Sequence, residues 1–189
     1  MDSTGDTMRH IKRVREILSA VAERLENRGL AHDHSKLEEP EKSAFDEFTP
    51  KLASSVFGSE EYKGFLAAMK PALDHHYAEN RHHPEHFRLW RCDVCLRVFQ
   101  DPPLDGRCPH CREDDVNGEV VFERPLTRHV GVEGMTLIDM VEMLADWKAA
   151  SERHATGDIR KSVEINASRF KIGDQVRAVL LNTIREMGW

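Results

Sequence analysis

The segment Thr7-Met8-Arg9-His10-Ile11-Lys12-Arg13-Val14-Arg15-Glu16-Ile17-Leu18-Ser19-Ala20-Val21-Ala22-Glu23-Arg24-Leu25-Glu26-Asn27-Arg28 sets the fold class. Ile11, Val14, Ile17, Leu18, Val21 and Leu25 recur at steps of three and four, the spacing of one helix face. Gly29 is the expected stop. Working outward, Pro40 and the acids around it suit the start of a second helix carrying Phe45 and Phe48, which Thr49-Pro50 should end. A third helical pattern runs from Ser59 to Tyr77, with Pro71 as a bend. Later patterns predict helices over Met135–His154, Asp158–Ser168 and Ile172–Met187. The expected class is all-α.

Between these patterns the character changes. Cys92, Cys95, Cys108 and Cys111 are the four cysteines of the chain, arranged as two C-x2-C pairs twelve residues apart. Two such pairs present four thiolates to one tetrahedral ion, most often zinc. The β-type run Val120-Val121-Phe122 lies in the same stretch. Residues 90–125 are therefore expected to form a zinc-ribbon insert that depends on metal to fold. Residues 1–89 and 126–189 are expected to make the helical domain around it.

The 189 residues carry 27 basic and 33 acidic side chains, a formal charge of −6. That balance disfavours a generic nucleic-acid coat, which needs a basic surface, though the insert leaves nucleic acid open as a partner. No run approaches the ~18 apolar residues of a membrane helix, so no membrane partner is expected. The N-terminus lacks a secretory layout. Free cysteine pairs fit a reducing cytoplasm.

Histidine is the outlier. The stretch Asp74-His75-His76-Tyr77-Ala78-Glu79-Asn80-Arg81-His82-His83-Pro84-Glu85-His86-Phe87 holds five imidazoles and three carboxylates. Imidazole with carboxylate suits zinc, iron, manganese or nickel. His32-Asp33 is a second pair of such ligands, and His10, on the apolar stripe of its helix, is expected to point inward. On the helix from Met135, the apolar face reads as Leu137, Met140, Val141, Leu144 and Trp147, with Asp139, Glu142 and Asp146 opposite. That helix is apolar on most sides, so at least one of these acids should face an internal polar site.

His10, His32-Asp33 and a later helical aspartate together resemble the HD superfamily of metal-dependent phosphohydrolases. His32-Asp33-His34-Ser35-Lys36 is similar to the HD-x-G-K form of cyclic-dinucleotide phosphodiesterases, with Ser35 in place of glycine, and His75-His76 resembles their paired histidine. The resemblance implies an HD-type helical bundle. It implies a divalent ion (Mn, Mg, Ni, Co, Zn or Fe) held by His10, His32, Asp33 and Asp146, the last preferred over Asp139 on family spacing. Lys36, His75, His76 and His82 would carry catalytic roles, and Lys36, His83 and Arg153 would contact substrate phosphate. The implied substrate is a small phosphorylated molecule, with a nucleotide as the favoured class. Two other readings stay open: an HD-type di-iron oxygenase, and a non-catalytic module whose zinc ribbon binds protein or nucleic acid. A homo-oligomer is compatible with all three. The stretches His32–Leu37, Gly58–Tyr62, His75–Phe87 and Asp146–Ala150 also resemble a group of short bacterial and phage proteins without an assigned reaction.

Overall fold

The computed structural model describes all residues except 1, 57–58, 93–94, 100–107, 109, 111–125 and 154–156, and for 88 and 126–130 it describes the backbone alone. The chain divides into two compact units, Met1–Ala72 and Leu73–Trp189. Among the described residues the protein is all-α, with one small sheet. No described helix is long and apolar enough to cross a membrane.

The first unit opens with α1 (Thr4–Ala31), one uninterrupted helix of 28 residues. Gly29 does not stop it; the helix runs two residues further. The turn is made instead at Asp33, whose left-handed φ of 57° is a conformation that aspartate tolerates better than most residues. A 3-10 turn (His34–Leu37) leads to α2 (Lys42–Ser54), which runs through Pro50 rather than ending there. Proline removes one donor, and the turn that follows is held by the hydroxyls of Ser54 and Ser55 bonding the carbonyls of Lys51 and Leu52. Phe48 of α2 packs against Phe65 of α3 (Glu60–Ala68), with ring centroids 6.1 Å apart. Ser59 caps α3 by accepting from the Tyr62 amide at 3.1 Å. The single helix expected over 59–77 is two helices: Met69 ends α3, and α4 (Lys70–Glu79) restarts with Pro71 in its first turn, where a missing N–H costs nothing.

In the second unit, the chain leaves α4 through a 3-10 turn (Pro84–His86) into β1 (Arg88–Cys92). β2 (Val98–Phe99) and β3 (Leu126–Val130) flank it in the order β2-β1-β3, both antiparallel. The register places Arg88 opposite Val130 and Cys92 opposite Leu126. The insert is thus clasped at its base by two strands, and residues 126–130, expected to belong to the helical domain, form one of them. The Val120-Val121-Phe122 run lies outside the described residues.

Helices α5 (Leu137–Glu152), α6 (Ile159–Phe170) and α7 (Asp174–Met187) follow, close to the predicted boundaries. Their core gathers Met143, Leu144, Ile159, Val163, Phe170, Leu180 and Ile184 with Phe87 and Leu89 from the sheet side. Lys171, at φ 52°, makes the left-handed turn between α6 and α7. Gly134 sits directly against the Phe87 ring: a Cβ there would lie 2.8 Å from it, so only glycine permits this approach.

The buried face of α5 differs from the sequence expectation. Asp139, Met143 and Leu144 are its buried residues, while Leu137 and Val141 are exposed. The acid-bearing stripe turns inward because its carboxylates have partners in the histidine segment.

Candidate metal centre

Helix α5 begins with a reciprocal cap. The Thr136 hydroxyl accepts from the Asp139 amide at 3.2 Å, and Asp139 Oδ2 accepts from the Thr136 amide and hydroxyl, both at 2.8 Å. The same carboxylate takes a fork from Arg81: Nε donates to Oδ1 at 3.2 Å and Nη2 to Oδ2 at 3.0 Å. Burial pushes the Asp139 carboxyl up. The Arg81 and Thr136 bonds together outweigh this and hold it below the ordinary carboxylate value. Arg81 also lies over the Phe87 ring, 4.9 Å from its centroid. Asp139 is therefore a structural anchor, and it is Asp146 of α5 whose carboxylate comes within 4.8 Å of a His82 ring nitrogen.

Arg81 fixes the residue beside it. His82 is buried, and its Nδ1 lies 3.2 Å from Glu142 Oε1, one turn along α5 from Asp139. An Nδ1–H donated to this carboxylate leaves the lone pair on Nε2, the arrangement of a metal-binding imidazole. A ring nitrogen of His82 and a carboxylate oxygen of Asp146, one further turn on, lie within 4.8 Å of one another.

His76, also buried, comes from the last turn of α4. Its Nε2 lies 2.9 Å from His83 Nε2. Asn80 turns back onto it: the amide nitrogen lies 3.0 Å from His76 Nδ1 and donates to the His76 carbonyl at 2.9 Å. One ring nitrogen from each of His76, His82 and His83 falls within 4.8 Å of the other two. The His82 and His83 rings are tilted 44° to each other with centroids 4.2 Å apart. The end of α4 and the turn that leads from it to the 3-10 turn thus converge three imidazoles, with carboxylates of α5 alongside. Glu85, in that turn, is tied to Arg169 of α6 at 2.7 Å; burial pushes its carboxyl up, against the pull of Arg169.

In the first unit, His32 Nε2 lies 3.6 Å from Asp33 Oδ2, and Lys36 Nζ lies 2.5 Å from the same oxygen. Lys36, expected to hold phosphate, is engaged by Asp33 and sits 4.9 Å from the Phe45 ring centroid. Ser35 donates to the fully buried Glu41 at 3.0 Å.

The expectation for His10 is overturned. It is exposed, on a helix with no buried residue. It lies on the same unbroken helix that leads to His32, 22 residues earlier, so about 33 Å of helix axis separates the two. A ligand set containing both His10 and His32-Asp33 needs a turn between them, and the chain has none. His75, next to His76, is absent from the converging imidazoles because adjacent helix residues point about 100° apart. Arg153 is exposed at the C-cap of α5, roughly 10 Å along the axis from Asp146, and does not join them. Sequence reasoning missed Glu142 as the partner of His82 and Asn80 as the partner of His76. The i, i+3, i+7 series Asp139, Glu142, Asp146 was the available signal for the first.

A second centre lies at the sheet. Cys92 ends β1, and its amide donates to the Arg97 carbonyl at 2.9 Å, while the Leu96 amide donates to the Cys92 carbonyl at 2.9 Å. This tight turn puts Leu96 at φ 58° and aims Cys92 and Cys95 to one side. Cys92, Cys95 and Cys108 are unbridged, with their sulfurs within 4.8 Å of one another. Cys95 and Cys108 Sγ are 3.7 Å apart, close to the ~3.8 Å edge of a tetrahedron with ~2.3 Å zinc–sulfur bonds. Three thiols here are close enough to hold a metal ion. Cys111, the expected fourth ligand, lies outside the described residues.

The model of DUF5662, a family of unknown function, matches residues 1–186, and the chain belongs to this family. No curated protein and no solved structure matches it.

Proposed function

We propose that this protein is a metal-dependent hydrolase of phosphate esters, with nucleotides as the favoured substrate class. The observation that carries the reading is the convergence of His76, His82 and His83, two of them buried, beside Asp146 and oriented by Glu142 and Asn80. A buried imidazole whose second nitrogen faces a carboxylate, as His82 Nδ1 faces Glu142, suits an ion of the zinc, manganese, iron, cobalt or nickel type. When bound, such an ion would lower the pKa of a coordinated water and take up charge on a phosphoryl oxygen.

The chain's own groups divide the remaining work. Glu142 holds the His82 ring and fixes its tautomer. Asn80 holds His76. His83, half-buried and paired through Nε2 with His76, is the group to pass a proton to the leaving oxygen. His32 and Asp33 enter this reading through their motif alone, and Lys36 through its charge. His10 has no part in it. At the second centre we infer zinc on Cys92, Cys95 and Cys108, with Cys111 as the fourth thiolate and a structural role.

The test is phosphate release from nucleoside mono-, di- and triphosphates and cyclic dinucleotides with Mn, Mg, Ni or Co. His82→Ala and Asp146→Ala should each lower turnover at least 100-fold while the helical circular dichroism is retained. His32→Ala and Asp33→Ala test the motif separately. No release with any metal, or full turnover in His82→Ala, rejects the reading. Two irons per purified chain with oxygen consumption would replace it with oxygenase chemistry.

A further inference from the structure

Helix α1 presents a long apolar face that stands exposed among the described residues. No residue of its 28 is buried, and Ile11, Val14, Ile17, Leu18 and Val21 are exposed to between 38% and 61%. Helices in folded proteins draw most of their stability from packing one amphipathic face, and this one leaves that face open. Together the five side chains leave roughly 400 Å² of apolar surface in one stripe, as large as the largest patch of a typical monomer, which is often a functional one.

The spacing identifies the occupant. Ile11, Leu18 and Leu25 repeat every seven residues, and Val14 and Val21 repeat at the same step between them. That is the a/d seam of a coiled coil, a surface complementary to a copy of itself. We propose that the protein self-associates through α1, the seam of one chain packing on the α1 seam of a second copy. A helix of 28 residues is about 42 Å long, and pairing along it buries on the order of 800 Å² per chain, the standard size of a stable interface. The opposite face carries Glu16, Glu23 and Glu26 among arginines. Mixed charge of this kind suits a solvated outer face and does not favour an anionic lipid surface, which selects basic residues.

The experiment is light scattering after size exclusion on the full chain across a concentration series. The expected mass is twice the 21.7 kDa of one chain. Leu18→Glu should give a monomer with unchanged helical circular dichroism, since Leu18 is 61% exposed and contributes nothing to the chain's own core. A milder double variant, Val14→Ser with Leu18→Ser, should weaken dimer dissociation constants at least 10-fold. Lys12→Glu, off the seam, should remain a dimer. A wild-type monomer at every concentration overturns the proposal, as does a dimer indifferent to both seam variants. Binding of a monomer to phosphatidylserine-containing vesicles, lost in Leu18→Glu, would reassign the face to a membrane.

Discussion

Arg81 and Asp139 form a forked ion pair that sets the register of the histidine segment on α5, with bonds of 3.2 and 3.0 Å and the carboxylate fully buried. Because Arg81 grips Asp139, the neighbouring His82 meets Glu142 one turn on. The guanidinium is 44% solvent-exposed on its side chain, so screening reduces its share. Arg81→Ala should therefore cost about 1–2 kcal/mol. Asp139→Ala, which also removes the helix cap, should cost about 2–4 kcal/mol. Urea denaturation measures both, and equal costs would show that the cap contributes nothing.

The Asp139 carboxyl is held below its ordinary value of 3.8 in the folded protein. A group depressed in this way contributes stability that is fully present above the unfolded pKa and is lost as pH falls through the folded one. The denaturation midpoint should change little through this residue between neutrality and about pH 5, then drop below about pH 4. In Asp139→Asn that acid limb should be shallower than in the wild type. Parallel limbs in the two proteins would contradict the assignment.

Glu142 touches His82 and acts through it. Glu142→Gln should keep the fold and weaken divalent-metal binding at the histidine centre about 10- to 100-fold, the range for loss of an orienting carboxylate. Calorimetric titration with Co or Zn, using protein whose cysteine centre is already loaded, reads this directly. An unchanged affinity would make the His82–Glu142 contact a packing detail.

Removing one thiol tests the other centre without touching the first. Cys95→Ser should abolish tight zinc at the cysteines, lowering stoichiometry by one ion per chain. The helices, which take their core from Met143, Val163 and Ile184, should melt within a few degrees of the wild type. Metal analysis with thermal melting checks both, and collapse of the helices on losing this ion would mean that the insert supports the core.

How much of this was legible beforehand depends on the range of the interaction. Helical periodicity located α1 and the last three helices within a few residues, because amphipathic spacing is local. The proline at 50 misled: α2 gives up the bond that its N–H would make to the carbonyl of residue 46 and runs on for one more turn to Ser54. The strand at 126–130 was hidden because strand formation there depends on pairing with residues 88–92, far away in sequence. At the site, composition flagged the histidine segment and C-x2-C spacing flagged the cysteine pairs. The inward placement assumed for His10 failed for a specific reason: an apolar stripe states that a face wants covering and does not state by what. The partners Glu142 and Asn80 were invisible because their importance is a matter of distance to one ring nitrogen.

The antiparallel pairing of Cys92 with Leu126 has an evolutionary corollary. The polypeptide departs toward the cysteine-rich segment and returns from it at adjacent points on one ladder, so the two ends of that segment are held side by side. Lineages could shorten, enlarge or discard it by joining those points with a tight turn, leaving the imidazole cluster undisturbed. Relatives lacking every cysteine would then still be expected to keep Arg81, His82 and Glu142.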